Sequence, residues 1–177
     1  MAITMATAHP PPRERDQLSK AIASIGDDDD LRAVLGELQR QTQMKFAAIA
    51  FVSEDRWIAS LVSDTLDFGL SAGDELDVRA TLCAEVRSCS AEILIDDVAS
   101  DPVWSDHPVP RMYGLRSYLS IPIMIGGAFF GTLCAIDSDP RSQPLAELRG
   151  KLLALAAETG RLLMERMRHT IVSPTQN

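Results

Sequence analysis

The period of the hydrophobic positions changes several times along the chain, and each change marks an element. Leu31, Val34, Leu35 and Leu38 recur at i, i+3, i+4 and i+7, the spacing of one buried helix face. The acidic run 27–30 just before them reads as an N-cap with favourable charges at a helix start, a simpler account than a metal site. Residues 46–53 (FAAIAFVS) and 56–63 (RWIASLVS), separated by the polar pair Glu54-Asp55, predict a β-hairpin. Residues 64–77, with Gly69, Gly73 and several acids, predict a loop. Val78, Leu82, Cys83 and Val86 then fall on one side of a short helix over 78–88, and 92–98 (EILIDDV) has the β-branched character of a strand.

Residues 99–116 carry Pro102, Pro108 and Pro110 with no sustained period, so they form a surface loop or short helix. A connection this long inside a compact domain is more often functional than idle. SYLSIPIMI and AFFGTLCAID follow, joined across Gly126-Gly127, a pair that permits the positive φ angles of a two-residue hairpin. Pro122 cannot donate to a ladder and marks an edge or an irregularity. Over 145–169, Leu145, Leu148, Leu152, Leu155, Thr159, Leu162 and Arg166 alternate spacings of three and four, a heptad seam that Gly160 weakens. The order helix, two strands, helix, strand, long loop, two strands, helix predicts an α/β (α+β) sandwich around a largely antiparallel sheet.

Composition narrows the function more than the fold. The 177 residues suit one domain, here 19–169 with its terminal helices, between a Pro-containing tail over 1–18 and a tail over 170–177. The longest apolar stretch, 121–135, is broken by Pro122, Gly126, Gly127 and Gly131 and is shorter than a bilayer span; the first residues show no export signal, so a cytoplasmic protein is expected. A net charge of −8 with no basic run argues against nucleic-acid binding. Cys83, Cys89 and Cys134 lack the spacing of a zinc site or a disulfide framework, so no metal site is expected.

The stretch 83–137, with EILIDDVASDPVW, YGLRSYLSIPI, the glycine turn and FFGTLCAID in that order, resembles a GAF domain of the kind found beside bacterial histidine kinases and cyclic-dinucleotide enzymes, and the likeness extends over about 29–165. The resemblance implies a sheet of five or six strands with the terminal helices on one face and pocket-forming loops on the other. It also implies a sensory module in signal transduction that binds a small molecule, dimerises, or both, and has a kinase or cyclic-dinucleotide enzyme as output partner. Other members bind linear tetrapyrroles, reduce free methionine-R-sulfoxide, or serve as ligand-free dimerisation units, so the fold alone does not select the ligand.

Individual positions weigh on these readings. The segment DHPVPRMYGLRSYLSIPI resembles the chromophore region of phytochrome-type members, with His107 near their bilin-contacting histidine; Asp106 stands where cyanobacterial relatives attach the chromophore through cysteine, and 1–45 holds no cysteine. The cyclic-nucleotide signature needs an asparagine, and the only one is Asn177. The sulfoxide reductases carry their reactive cysteine in the loop before the late strands, and 105–114 has none. Cys83 and Cys89, six apart, point to different sides of a helix, and Cys134 in an apolar strand behaves as a small hydrophobe. A non-enzymatic protein is therefore expected, with no cofactor assigned.

The candidate ligand-binding residues are Cys83, Asp97, Trp104, His107, Arg111, Tyr113, Arg116 and Tyr118, because specificity comes from a few polar or aromatic groups in a mostly apolar cavity. Trp104 and Tyr113 either line that cavity or fold the loop onto the sheet, and His107 either meets a ligand or caps a backbone group. A homodimer through the first and last helices is expected from their apolar stripes.

Overall fold

The computed structural model describes residues 16–172. Six strands form one antiparallel sheet in the order β3-β2-β1-β6-β5-β4: β1 (Phe46–Val52), β2 (Trp57–Asp64), β3 (Glu75–Leu76), β4 (Ile93–Ile95), β5 (Ser117–Ile125) and β6 (Ala128–Asp137). On one face lie α1 (Gln17–Gly26), α2 (Asp29–Thr42) and α5 (Arg149–Val172); over the other lie α3 (Cys83–Cys89), α4 (Pro108–Tyr113) and the connecting loops. This is the expected sandwich, with six strands.

Strand alternation builds two cores on one sheet. Ala47 and Ile49 of β1, Leu119, Ile121 and Ile123 of β5, and Leu133 and Ala135 of β6 join the helix side. Phe46, Ala48, Ala50 and Val52 of β1, Tyr118 of β5, and Cys134 and Ile136 of β6 face the loops. A bulge at Ser60, where Ile49 pairs with Leu61 but Ala50 with Ala59, turns both Ile58 and Leu61 toward the helices. The extra residue is used: Ser60 Oγ donates to the Ile22 carbonyl of α1 at 2.8 Å.

Asp28 caps α2, its carboxylate accepting from the Asp30 and Leu31 amides at 2.9 and 3.1 Å, so the acidic run serves the helix start as expected. Leu31, Leu35 and Leu38 are fully buried on the sheet, each contributing about 1.5–3 kcal/mol by removal from water. In α5, Leu152, Ala156, Thr159, Leu162 and Leu163 are buried likewise. Gly160 allows this docking: a Cβ there would stand 2.4 Å from the Met124 carbonyl oxygen of β5. The first stripe is thus spent inside the chain, as are Leu145, Leu152, Thr159 and Leu162 of the second, while Leu148 and Leu155 are half-buried; the large apolar side chains left exposed on the terminal helices are Leu18, Met167 and Ile171.

The hairpin turn at Gly126 and Gly127 has φ of 58° and 80°, as its sequence requires. Pro122 pairs with Thr132 on one side but lies past the three residues that β4 covers, so its missing donor meets no partner strand.

Five details depart from expectation, the first being that the loop expected over 64–77 contains the short strand β3, paired with the start of β2. The separate helix α1, capped by Asp16 through the Ser19 amide at 2.9 Å, begins inside the segment 1–18 expected as a tail; its apolar pair Ile22 and Ile25 is too short a stripe to stand out. At the other end α5 reaches Val172, beyond 169. The helix expected over 78–88 is split at Thr81, whose extended backbone separates a single 3-10 turn, Val78–Ala80, from α3. Strand β4 stops at Ile95 because Asp96 and Asp97 serve other backbones: Asp96 accepts from the Leu145 amide at 2.7 Å and Asp97 from the Ala99 amide at 3.2 Å. The remaining tail residues, 1–15 and 173–177, lie outside the described residues.

Candidate functional site

The loop face does not close fully. Between the sheet, α3, α4 and the 64–77 loop lies an almost wholly apolar cavity of about 50 Å³. Its walls include Phe46, Phe68 and Tyr113, whose rings stand 5.2 and 5.5 Å apart in sequence. Small residues at the centre of the sheet, Ala48 and Ala50, let the start of α3 approach closely.

The polar exception is at the floor. Cys83, at the first turn of α3, drops its Sγ onto the sheet among groups from three strands. The Trp57 indole N–H of β2 donates to it at 3.3 Å. Thr132 Oγ1 of β6 is 3.2 Å away, Tyr118 Oη of β5 3.5 Å and Ser120 Oγ 3.8 Å. The Cys134 thiol, paired across the ladder with Ser120, donates to the Ala48 carbonyl at 3.6 Å. An indole N–H can only donate, so Sγ of Cys83 is an acceptor. The neighbouring Cys134 thiol, and after it the hydrogen bonds of Thr132, Tyr118 and Trp57, hold the Cys83 thiol below its usual range against the opposing effect of burial. Cys134 is pushed up by its neighbour Cys83 and by burial, and Tyr118 by burial first and then by the charge on Cys83. The site thus favours one thiolate, on Cys83, beside a protonated partner.

The candidate residues divide between this site and the outside. Cys83, Tyr113 and Tyr118 line the cavity. His107 caps α4, its Nδ1 accepting from the Val109 amide at 3.2 Å, with the Trp104 ring 5.3 Å away. Trp104 packs against the edge of the loop-side core, folding the loop down. Arg111 is exposed and donates to the Ser105 carbonyl at 3.3 Å. Arg116 grips Asp97 with two hydrogen bonds of 2.9 and 3.0 Å, holding that carboxylate below its usual range, away from the cavity lining. The aromatic loop reaches the cavity through Tyr113, Val109 and Leu115. Sequence reasoning missed Trp57, Ser120, Thr132 and Cys134; alternation in GTLCAID puts Thr132, Cys134 and Ile136 on one face and was the available signal. Among the described residues no group of three or more His, Cys, Asp or Glu side chains could hold a metal ion.

The sequence profile of the GAF domain matches residues 28–163. The chain belongs to the GAF domain family. No curated protein matches this sequence. Among solved structures, the GAF fold here is similar to the GAF domain of phosphoenolpyruvate-protein phosphotransferase from Acinetobacter, with 12% identity, 89% of this chain and 99% of that chain covered and a TM-score of 0.62. The PixJ GAF domain of Thermosynechococcus elongatus in its blue-light absorbing form is similar at 12% identity, 89% and 95% coverage and a TM-score of 0.62. So is the free methionine-R-sulfoxide reductase of Neisseria meningitidis, at 15% identity, 86% and 87% coverage and a TM-score of 0.55. At these identities the likeness is one of fold. No helix among the described residues is long and apolar enough to cross a membrane.

Proposed function

We propose that this GAF domain is a non-enzymatic sensory module of a cytoplasmic signalling system, whose loop face takes a small molecule. The observation that carries the reading is the apolar cavity under α3 and α4, floored by a single cluster of hydrogen-bonding groups. At about 50 Å³ it holds a few water-sized molecules, against roughly 300–1,000 Å³ for the site of a drug-sized ligand. A larger ligand enters by lifting α4, a six-residue helix on a long loop, and that displacement is the signal. A tetrapyrrole is disfavoured because His107 is engaged as a cap and follows Asp106, and sulfoxide reduction because the loop before β5 lacks a thiol.

Native mass spectrometry with an absorption spectrum of protein purified from its own host tests the reading. Bound mass that leaves on denaturation is expected. Tyr113→Ala should weaken rebinding of the released molecule at least about tenfold, or ~1.4 kcal/mol, while Arg111→Ala leaves it unchanged. The opposite pattern would move the site to the outer loop.

Homodimerisation is proposed with a narrower surface than the helix stripes suggest, centred on Leu18, Met167 and Ile171. Light scattering decides it: Met167→Glu with Ile171→Glu should dissociate the pair, whereas Leu162→Glu would disrupt the core instead.

A further inference from the structure

We propose that Cys83 and Cys134 form a peroxide-oxidisable pair at the floor of the loop-face cavity, Cys83 as the attacking sulfur and Cys134 as the resolving thiol. The inference goes beyond the sensory reading and needs no bound ligand, so its failure would leave that reading standing.

Three observations converge. First, the two sulfurs come from different elements, the first turn of α3 and the middle of β6, line the same cavity and share a neighbour: Ser120, the ladder partner of Cys134, has its Oγ 3.8 Å from Cys83 Sγ. Second, their hydrogen bonds are unequal. Cys83 accepts from the Trp57 indole and has three hydroxyls around it, while Cys134 directs its hydrogen to the Ala48 carbonyl. The pair is therefore differentiated into a nucleophile and a thiol that keeps its proton. Third, the cavity suits a very small oxidant. A volume of about 50 Å³ exceeds the roughly 10–15 Å³ that one water requires and so admits hydrogen peroxide with α4 in place, whereas a bulkier oxidant enters only as α4 lifts.

The chemistry balances without any further reagent. The Cys83 thiolate attacks one oxygen of hydrogen peroxide; the S–O bond forms, the O–O bond breaks, and the leaving hydroxide takes a proton to become water. The resulting sulfenic acid is oxidised by two electrons relative to the thiol. Cys134 sulfur then attacks Cys83 sulfur, the S–S bond forms, and the sulfenic oxygen leaves as a second water with the Cys134 proton. The net change is two thiols and one peroxide to one disulfide and two waters. Thr132 and Tyr118 stand close enough to Sγ to hydrogen-bond an oxygen attached there. The bridge would pin α3 to β6, under the part of the face that must move to admit a ligand.

Cys89 supplies an internal control, being the exposed thiol of the three. Accessibility alone predicts that Cys89 reacts first; the proposal predicts the reverse. Full-length protein is treated with hydrogen peroxide at neutral pH, alkylated and mapped by non-reducing peptide mass spectrometry. The expected result is a peptide cross-link joining positions 83 and 134, formed about tenfold faster than Cys89 is modified. In Cys134→Ser, Cys83 should accumulate as a sulfenic acid that a cyclic 1,3-diketone traps when the treated protein is unfolded in denaturant. Wild-type protein mapped with tert-butyl hydroperoxide in place of hydrogen peroxide should give little cross-link. Loss of Cys89 ahead of the pair, absence of the 83–134 peptide, or equal rates with the bulky oxidant would each overturn the proposal. Because the main readout uses unmutated protein, a variant that fails to fold does not blunt the test.

Discussion

The two faces of one sheet are finished in opposite ways. On the helix side, α2 and α5 lay long stripes onto the sheet with the shorter α1 beside them, and Leu31, Leu38, Leu133, Leu152 and Leu163 have no accessible surface. Buried polar groups there are paired with backbone carbonyls, Thr159 with that of Leu155 at 2.7 Å and Ser60 with that of Ile22 at 2.8 Å. On the loop side, short helices and single 3-10 turns cover the same strands, leaving a cavity and surrounding one sulfur with an indole, three hydroxyls and a second thiol. Burying such groups costs free energy that an apolar core would not. The face closed by continuous helices supplies stability, and the face closed by short irregular pieces holds the chemistry.

The largest test of this division is Leu38→Ala on the helix side, expected to cost about 2–5 kcal/mol because a close-packed site cannot collapse around the void. Its counterpart is Ala80→Val, which adds volume at the cavity wall and should change stability by no more than about 1 kcal/mol. Urea unfolding of both variants checks the pair. Equal costs would mean that the loop face is packed as tightly as the helix face.

Most of the helix face was legible in sequence because it obeys a single period: the stripe Leu31 to Leu38 and, in the seam from Leu145 to Arg166, Leu145, Leu152, Thr159 and Leu162 are buried where spacing puts them. What spacing could not decide was whether those stripes face the sheet or a partner helix. The Gly160 approach to Met124 answers that, and no local pattern announces it. The site was less legible. Concentration of polar and aromatic residues in 99–116 pointed to the loop, yet Asp97, Arg116, Arg111 and His107 satisfy one another or the local backbone. The hydrogen-bonding cluster is assembled from Trp57, Cys83, Tyr118, Ser120, Thr132 and Cys134, scattered over four elements, and only the sheet order β2-β1-β6-β5 brings them together. Alternation gives the face of each residue but not the pairing of strands.

A change of intermediate size sharpens the loop side. Trp57→Phe keeps an aromatic ring but removes the indole N–H directed at Cys83, and should cost about 1 kcal/mol as one lost hydrogen bond. That donor favours the thiolate, so its loss raises the Cys83 pKa. The pH profile for alkylation of Cys83, measured in a Cys89→Ser background with a reagent small enough to enter, should therefore move to higher pH. A profile that stays in place would mean that Cys134 and the hydroxyls alone set the reactivity.

The smallest effect is expected at Arg116→Gln, and it separates the site from its surroundings. Arg116 holds the Asp97 carboxyl below its usual range, so the folded value lies under the unfolded one of about 3.9. The stabilisation from this pair is complete above the unfolded value and is lost as pH falls through the folded value. Both side chains are partly exposed, which screens the interaction further. Melting temperatures of wild type and Arg116→Gln should differ slightly at pH 7 and converge in strong acid. Because the Arg116–Asp97 pair ties the strand-end turn at Val98 to the start of β5 outside the cavity, the same substitution should leave ligand retention and the peroxide cross-link unchanged. A variant that melts normally but loses either property would place Arg116 in the site itself, and would mean that the loop face works through its rim as well as its floor.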